Sequence, residues 1–108
     1  MKVRLNILLI TSNQHRGDCY GFEGRSVKTP HLDGHARDGT RFAACIAPNL
    51  ICQPTRASIL TGLLPMTHGV SDNGVDLDPA HRQKTFPAAP RRPAYDAALI
   101  GNAPFATP

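Results

Sequence analysis

Asn6-Ile7-Leu8-Leu9-Ile10-Thr11 is a short apolar run that ends in polar residues. Consecutive apolar side chains leave no polar face, the pattern of a strand buried on both sides in a parallel sheet. The polar segment 12–28 carries Gly17, Gly21 and Gly24 and reads as a loop at the carboxyl end of that strand, the edge where open α/β sheets bind ligands. Thr29-Pro30 offers a cap and a first helical position, and Gly39 a stop. The helix between them is weakened by the interior Gly34. Thr40 to Ala44 reads as a second strand, Pro54 to Leu60 as a helix closed by Thr61-Gly62, and Ala97-Ala98-Leu99-Ile100-Gly101 as a last strand. Strand, helix, strand, helix, strand is an α/β pattern. The chain is loop-like after Gly69, and Pro79, Pro87, Pro90 and Pro93 make 79–93 a proline-rich irregular stretch.

Composition narrows the function classes. The 108 residues allow one small domain, and 41% hydrophobic with 19% charged residues suits a globular segment rather than a disordered one. No apolar run reaches the roughly 18 residues of a membrane span, so no membrane partner is expected. The start, Met1-Lys2-Val3-Arg4 and the short apolar run, lacks a small-residue cleavage site, so the expected location is cytoplasmic. A net charge of +4 raises the question of nucleic acid. The arginines are scattered, however, with only Arg91-Arg92 adjacent, and six aromatic residues give few stacking platforms, so no nucleic-acid partner is expected. Cys19, Cys45 and Cys52 form no CxxC pair; with His15 they can be drawn as a metal site, but reduced thiols are the plainer reading.

The segment with chemistry is Cys52-Gln53-Pro54-Thr55-Arg56-Ala57-Ser58-Ile59-Leu60-Thr61-Gly62. Pro54 suits the first turn of a helix and so places Cys52 just before its N-terminus, where unpaired N–H groups favour an anion, thiolate or oxyanion. Arg56 follows Cys52 by about one turn, and a guanidinium beside a nucleophile can cradle a tetrahedral anion such as sulfate or phosphate. On physics alone, a buried cysteine and a surface arginine on an ordinary helix explain the same residues.

The wording of the motif goes further. C-x-P-[ST]-R followed by A-S-x-L-T-G resembles the signature of the formylglycine-dependent sulfatases of the alkaline-phosphatase-like superfamily. The resemblance includes Asn6 to Gln14, Lys28-Thr29-Pro30-His31-Leu32-Asp33, Asp38-Gly39-Thr40-Arg41-Phe42, Gly62-Leu63-Leu64-Pro65 with His68-Gly69-Val70, and Tyr95 to Gly101. Gln14-His15-Arg16 with Asp18 to Arg25 leans toward the arylsulfatase and phosphonate monoester hydrolase branch. The implied fold is the N-terminal fragment of an alkaline-phosphatase-like, mostly parallel sheet with flanking helices. Residues 1–108 are then a partial sulfatase N-terminal domain, with its motif segment at 52–62.

The resemblance also implies a reaction. A formylglycine-generating enzyme would oxidise Cys52, and a hydroxyl of the aldehyde hydrate would attack sulfur of a small-molecule sulfate ester and release the alcohol. The remaining hydroxyl, once deprotonated, would expel sulfate. Arg56 would orient the hydrate. A divalent cation, calcium or else magnesium or manganese, would polarise the sulfate oxygens, with Asn13, Gln14 and the Cys52 product as metal ligands. Asn73 matches a substrate-binding position; an Asx turn before Gly74 is its plainer reading.

Three departures set up an alternative, a truncated or decayed, non-catalytic sulfatase relative. Asn13 stands where the family has an aspartate ligand. Asn102-Ala103-Pro104 replaces a Lys-x-His that serves the sulfate and leaving group, although some phosphonate hydrolases lack it too. Family members run to several hundred residues, and the other metal carboxylate lies in the part not matched here. His31, His35 and His81 read as surface residues, His15 as a loop residue, Ser58 as packing, and His68 as making a structural hydrogen bond.

Overall fold

A computed structural model describes residues 5–88 and 96–101. Among these residues there are four α-helices, α1 (Pro30–Asp38), α2 (Cys52–Thr61), α3 (Pro65–His68) and α4 (Pro79–Arg82), one 3-10 turn (Gly21–Glu23), and no strand. The strands expected at 6–11, 40–44 and 97–101 therefore do not form there. A buried strand needs neighbours for its backbone groups and cover for its faces, and these segments have neither: Ile7, Leu8 and Ile10 are 83%, 84% and 80% exposed. Phe42 and Ile100 are exposed as well. No described helix is long and apolar enough to cross a membrane. Met1 to Arg4, Pro90, Pro93, Tyr95 and Asn102-Ala103-Pro104 lie outside the described residues.

The chain divides into two compact units, Met1–Ala43 and Ala44–Pro108. In the first, α1 starts and ends where Thr29-Pro30 and Gly39 direct it. Thr29 leaves its own helix uncapped; its Oγ1 accepts from Gly21 N–H at 2.9 Å and donates to Asp33 Oδ1 at 2.8 Å. Asp33 also accepts from Phe22 N–H, so one threonine and one aspartate fasten the polar loop to α1. A Cβ at position 21 would sit 2.3 Å from Asp33 Oδ2, so a larger residue there would push the Asp33 carboxylate out of its bonds. The rings of His15, Tyr20 and Phe22 stack in series, with the Arg41 guanidinium over Phe22. No described residue of this unit is buried.

The second unit has a small core of Ala57, Val70 and Leu77, with Val75 packed against it. α2 begins at Cys52, two residues before the expected start, with Ile51 as its extended N-cap and Pro54 in the first turn. It ends at Gly62, whose φ of 71° is left-handed and whose N–H bonds Ser58 C=O at 2.8 Å. Pro65 opens α3 and Gly69 closes it in the same left-handed way. Within the stretch expected to be irregular, Asp78 caps Ala80 N–H at 2.7 Å and Pro79 holds the first position, which yields the single turn of α4.

Candidate functional site at the start of α2

Cys52 is the first residue of α2 and is exposed; Arg56, one turn on, is half-buried. Residues four apart share a helix face, so the thiol and guanidinium belong to one surface. The cysteine expected just before the helix is thus in its first turn. The free donors of that turn are accounted for residue by residue. Ile51 N–H donates to Asn49 Oδ1 at 2.8 Å, and Gln53 N–H donates to Asn73 Oδ1 at 3.1 Å. Pro54 has no N–H. Among the described residues no group accepts from Cys52 N–H.

Asn73 is thus brought to the motif from 20 residues downstream, through the backbone next to Cys52. Gln53 makes the connection firm. Its side chain, 5% exposed, accepts from Gly74 N–H at 2.7 Å and donates to Val75 C=O at 2.8 Å. Thr55 Oγ1 donates to Asn49 C=O at 2.7 Å and ties down the chain before the helix. Sequence reasoning missed Asn49 and Gln53. The Asn49 bond two residues along is a local Asx pattern and could have been read; nothing local marks Gln53.

Ser58 and His68, expected as packing and as a structural hydrogen bond, form a buried pair at 3.0 Å. Val70 N–H donates to His68 Nδ1 at 3.1 Å, so that nitrogen is unprotonated and the ring proton sits on Nε2, facing Ser58 Oγ. The neutral ring is the one this arrangement needs. Burial, with the electrostatic influence of the nearby His81 ring as a second cause, pushes the His68 pKa down. His81 is half-buried, with an Nδ1 that has no hydrogen-bond partner among the described residues, rather than a surface residue, whereas His31 and His35 are exposed as expected.

Asn13 and Gln14 lie in a bend of the first unit. Gln14 has φ 50°, the one left-handed non-glycine residue among those described. Such a conformation costs on the order of 1 kcal/mol and gathers at functional turns. Both side chains offer neutral amide oxygens, which hard cations accept, but such cations take six or more oxygen ligands, usually including carboxylates. Among the described residues no three His, Cys, Asp or Glu side chains gather as a metal site. The donors among the described residues fit part of a cation site and not a whole one.

The motif, its helix and its asparagine caps lie within a stretch that comparison with known proteins assigns to one family. The Sulfatase profile matches residues 5–106, and the chain belongs to that family. It is 36% identical over 102 residues to an N-acetylglucosamine-6-O-sulfatase of Bacteroides thetaiotaomicron, a match covering 92% of this chain and 18% of that protein. It is 41% identical over 104 residues to the multifunctional alkaline phosphatase superfamily protein PehA of Trinickia caryophylli, covering 91% and 20%. An ulvan-active sulfatase of Formosa agariphila is 41% identical over 73 residues, covering 67% and 14%. The chain thus spans a fifth or less of the length of these relatives. No solved structure matches it at a significant level. Family membership implies an alkaline-phosphatase-like α/β fold and, in general terms, a metal ion and a formylglycine.

Proposed function

We propose that this chain carries the nucleophile segment of a sulfuric ester hydrolase and acts as part of a complete sulfatase, with Cys52 as formylglycine precursor. The observation that carries the reading is the placing of Cys52: exposed, first in α2, between two N–H groups held by asparagine oxygens, with Arg56 one turn away. Formylglycine, made by a formylglycine-generating enzyme, would supply a hydrated aldehyde whose hydroxyl attacks sulfur. Cys52 N–H and the α2 dipole favour negative charge at that position. Arg56 neutralises and orients the tetrahedral anion. Asn73, held beside the same turn, borders the substrate.

Asn13 and Gln14 would contribute amide oxygens to a divalent cation, calcium ahead of magnesium or manganese. The substrate class is sulfate esters, as the names of the sulfatase relatives suggest. The segments 6–11, 40–44 and 97–101 would be strands of the parallel sheet in the complete fold. The second reading, a non-catalytic relative, is favoured by one feature, the amide of Asn13 where the family places a carboxylate.

Peptide mass spectrometry on protein from its native host separates the two, using the tryptic piece Phe42 to Arg56, in which Cys45 is an internal alkylation control. The hydrolase reading expects Cys52 as an aldehyde and Cys45 as an alkylated thiol. Cys52 recovered as an alkylatable thiol, in a host that converts other sulfatases, selects the non-catalytic reading.

A further inference from the structure

We infer that Gln53 and Asn73 are positioning residues for Cys52, acting through the backbone of α2. The inference rests on Cys52 being the reacting residue. Asn73 touches the motif with its carbonyl oxygen, and it touches a backbone amide, Gln53 N–H at 3.1 Å, one residue past the nucleophile. Gln53 returns the contact with both ends of its buried amide, on Gly74 N–H and Val75 C=O. The three bonds form a closed clasp between the first turn of α2 and the turn at 73–75. Gly74, with φ 84°, supplies the left-handed corner that lets the turn present Asn73 and Gly74 N–H together. Val75 then leads into the core beside Ala57, Val70 and Leu77.

Pro54 explains why a clasp is needed. It preorganises the backbone but offers no N–H, so the start of α2 has fewer donors with which to hold its place. The caps at Ile51 and Gln53 bracket Cys52 and take up the donors on either side of it. Cys52, exposed between these two held amides, projects from a stretch of backbone that the clasp fixes. The acceptor oxygen of Asn73 is therefore the functional atom of that residue, and its NH2 group is dispensable for placing Cys52.

The distinction can be tested on the chain itself, without an activity assay. Asn73→Ala removes the acceptor, whereas Asn73→Asp keeps an oxygen at the helix start, where a carboxylate is also favoured. Residue-resolved amide exchange is read at Gln53, with Val70 N–H as a control for opening of the whole unit. The Hα–Hβ couplings of Cys52 report whether its side chain keeps one rotamer. Asn73→Ala is expected to speed Gln53 exchange about fivefold, the scale of a lost cap, and to average the Cys52 couplings, with Val70 unchanged. Gln53→Ala should speed exchange at Gly74, and Asn73→Asp should match the parent chain in every readout. The inference is overturned if Asn73→Asp behaves like Asn73→Ala, if Gln53 and Val70 accelerate together, or if the Cys52 couplings are already averaged in the parent chain. Conversion of Cys52 to formylglycine is scored separately in the native host: a clasp that holds around an unconverted thiol sinks the hydrolase reading, and conversion without a clasp sinks this one.

Discussion

The two units answer the same problem, covering apolar side chains, in opposite ways. In the second, Ala57, Val70 and Leu77 are enclosed, and buried polar groups such as Gln53 and the Ser58–His68 pair are hydrogen-bonded. In the first, the most apolar stretch of the chain is exposed from Leu5 to Ile10, and order comes from polar bonds around Thr29 and Asp33. A helix satisfies most of its backbone within itself, so the motif segment organises with a few side chains as cover. A strand cannot, because its backbone partners lie on other strands. The part of the molecule that holds the sulfatase motif is thus the part whose order is most nearly self-contained.

The largest expected effect separates the units directly. Leu77 is 1% exposed, so Leu77→Ala leaves a cavity and should cost about 2–5 kcal/mol, enough to abolish cooperative unfolding of so small a core. Ile7 is 83% exposed, and Ile7→Ala should change stability by no more than about 0.5 kcal/mol. Urea unfolding followed by circular dichroism measures both. Comparable losses would break the contrast and place the 5–10 run against a second apolar surface in solution.

Acid gives the next effect. The His68 pKa is held below the ordinary 6.5 by burial and by His81, so the unfolded chain takes up the proton more readily than the folded one. The contribution of the neutral ring is complete above pH 6.5 and is lost as the pH falls through that value toward the lowered pKa. His81, Asp76 and Asp78 share the concavity that His68 lines, so a His81→Gln variant is needed to isolate the ring. The urea midpoint of the second unit should drop on acidification below pH 6.5, and His68→Gln should flatten that slope. In the first unit Asp18 has its pKa lowered, first by its hydrogen bond from Arg16 and then by the arginine charges, so its response waits until the pH falls below 3.8. A midpoint that stays flat on acidification would show that His68 is not held neutral.

What could be read in advance follows the same division. The bounds of α1 are legible in Thr29-Pro30 and Gly39 and the end of α2 in Thr61-Gly62, because each is a local signal, whereas Cys52 and Arg56 stand out only through the resemblance of their motif. The start of α2 was placed two residues late because what holds it, Asn73 on Gln53 N–H, comes from 20 residues downstream. Gln53 was passed over for the same reason: its partners, Gly74 and Val75, are not visible from residue 53. The strands were drawn from apolar runs that fit a sheet, but a run specifies what a segment needs and not whether a neighbour is there to supply it.

The smallest effect tests whether charge, in place of a core, holds the first unit. Asp18 accepts two bonds from Arg16, each 3.0 Å, and pairs with Arg25 as well. Arg41 pairs with Glu23 while lying over Phe22. These side chains meet water, which competes for the same charges, and exposed ion pairs add little to stability. Asp18→Asn should therefore leave the unfolding curve in place, and salt near 1 M, where screening acts within about 3 Å, should do no more. A clear loss in both would mean that the arginine pairs stand in for the missing core. A loss in the variant alone would assign the effect to the geometry of the Arg16 fork, which salt does not remove and an amide cannot reproduce.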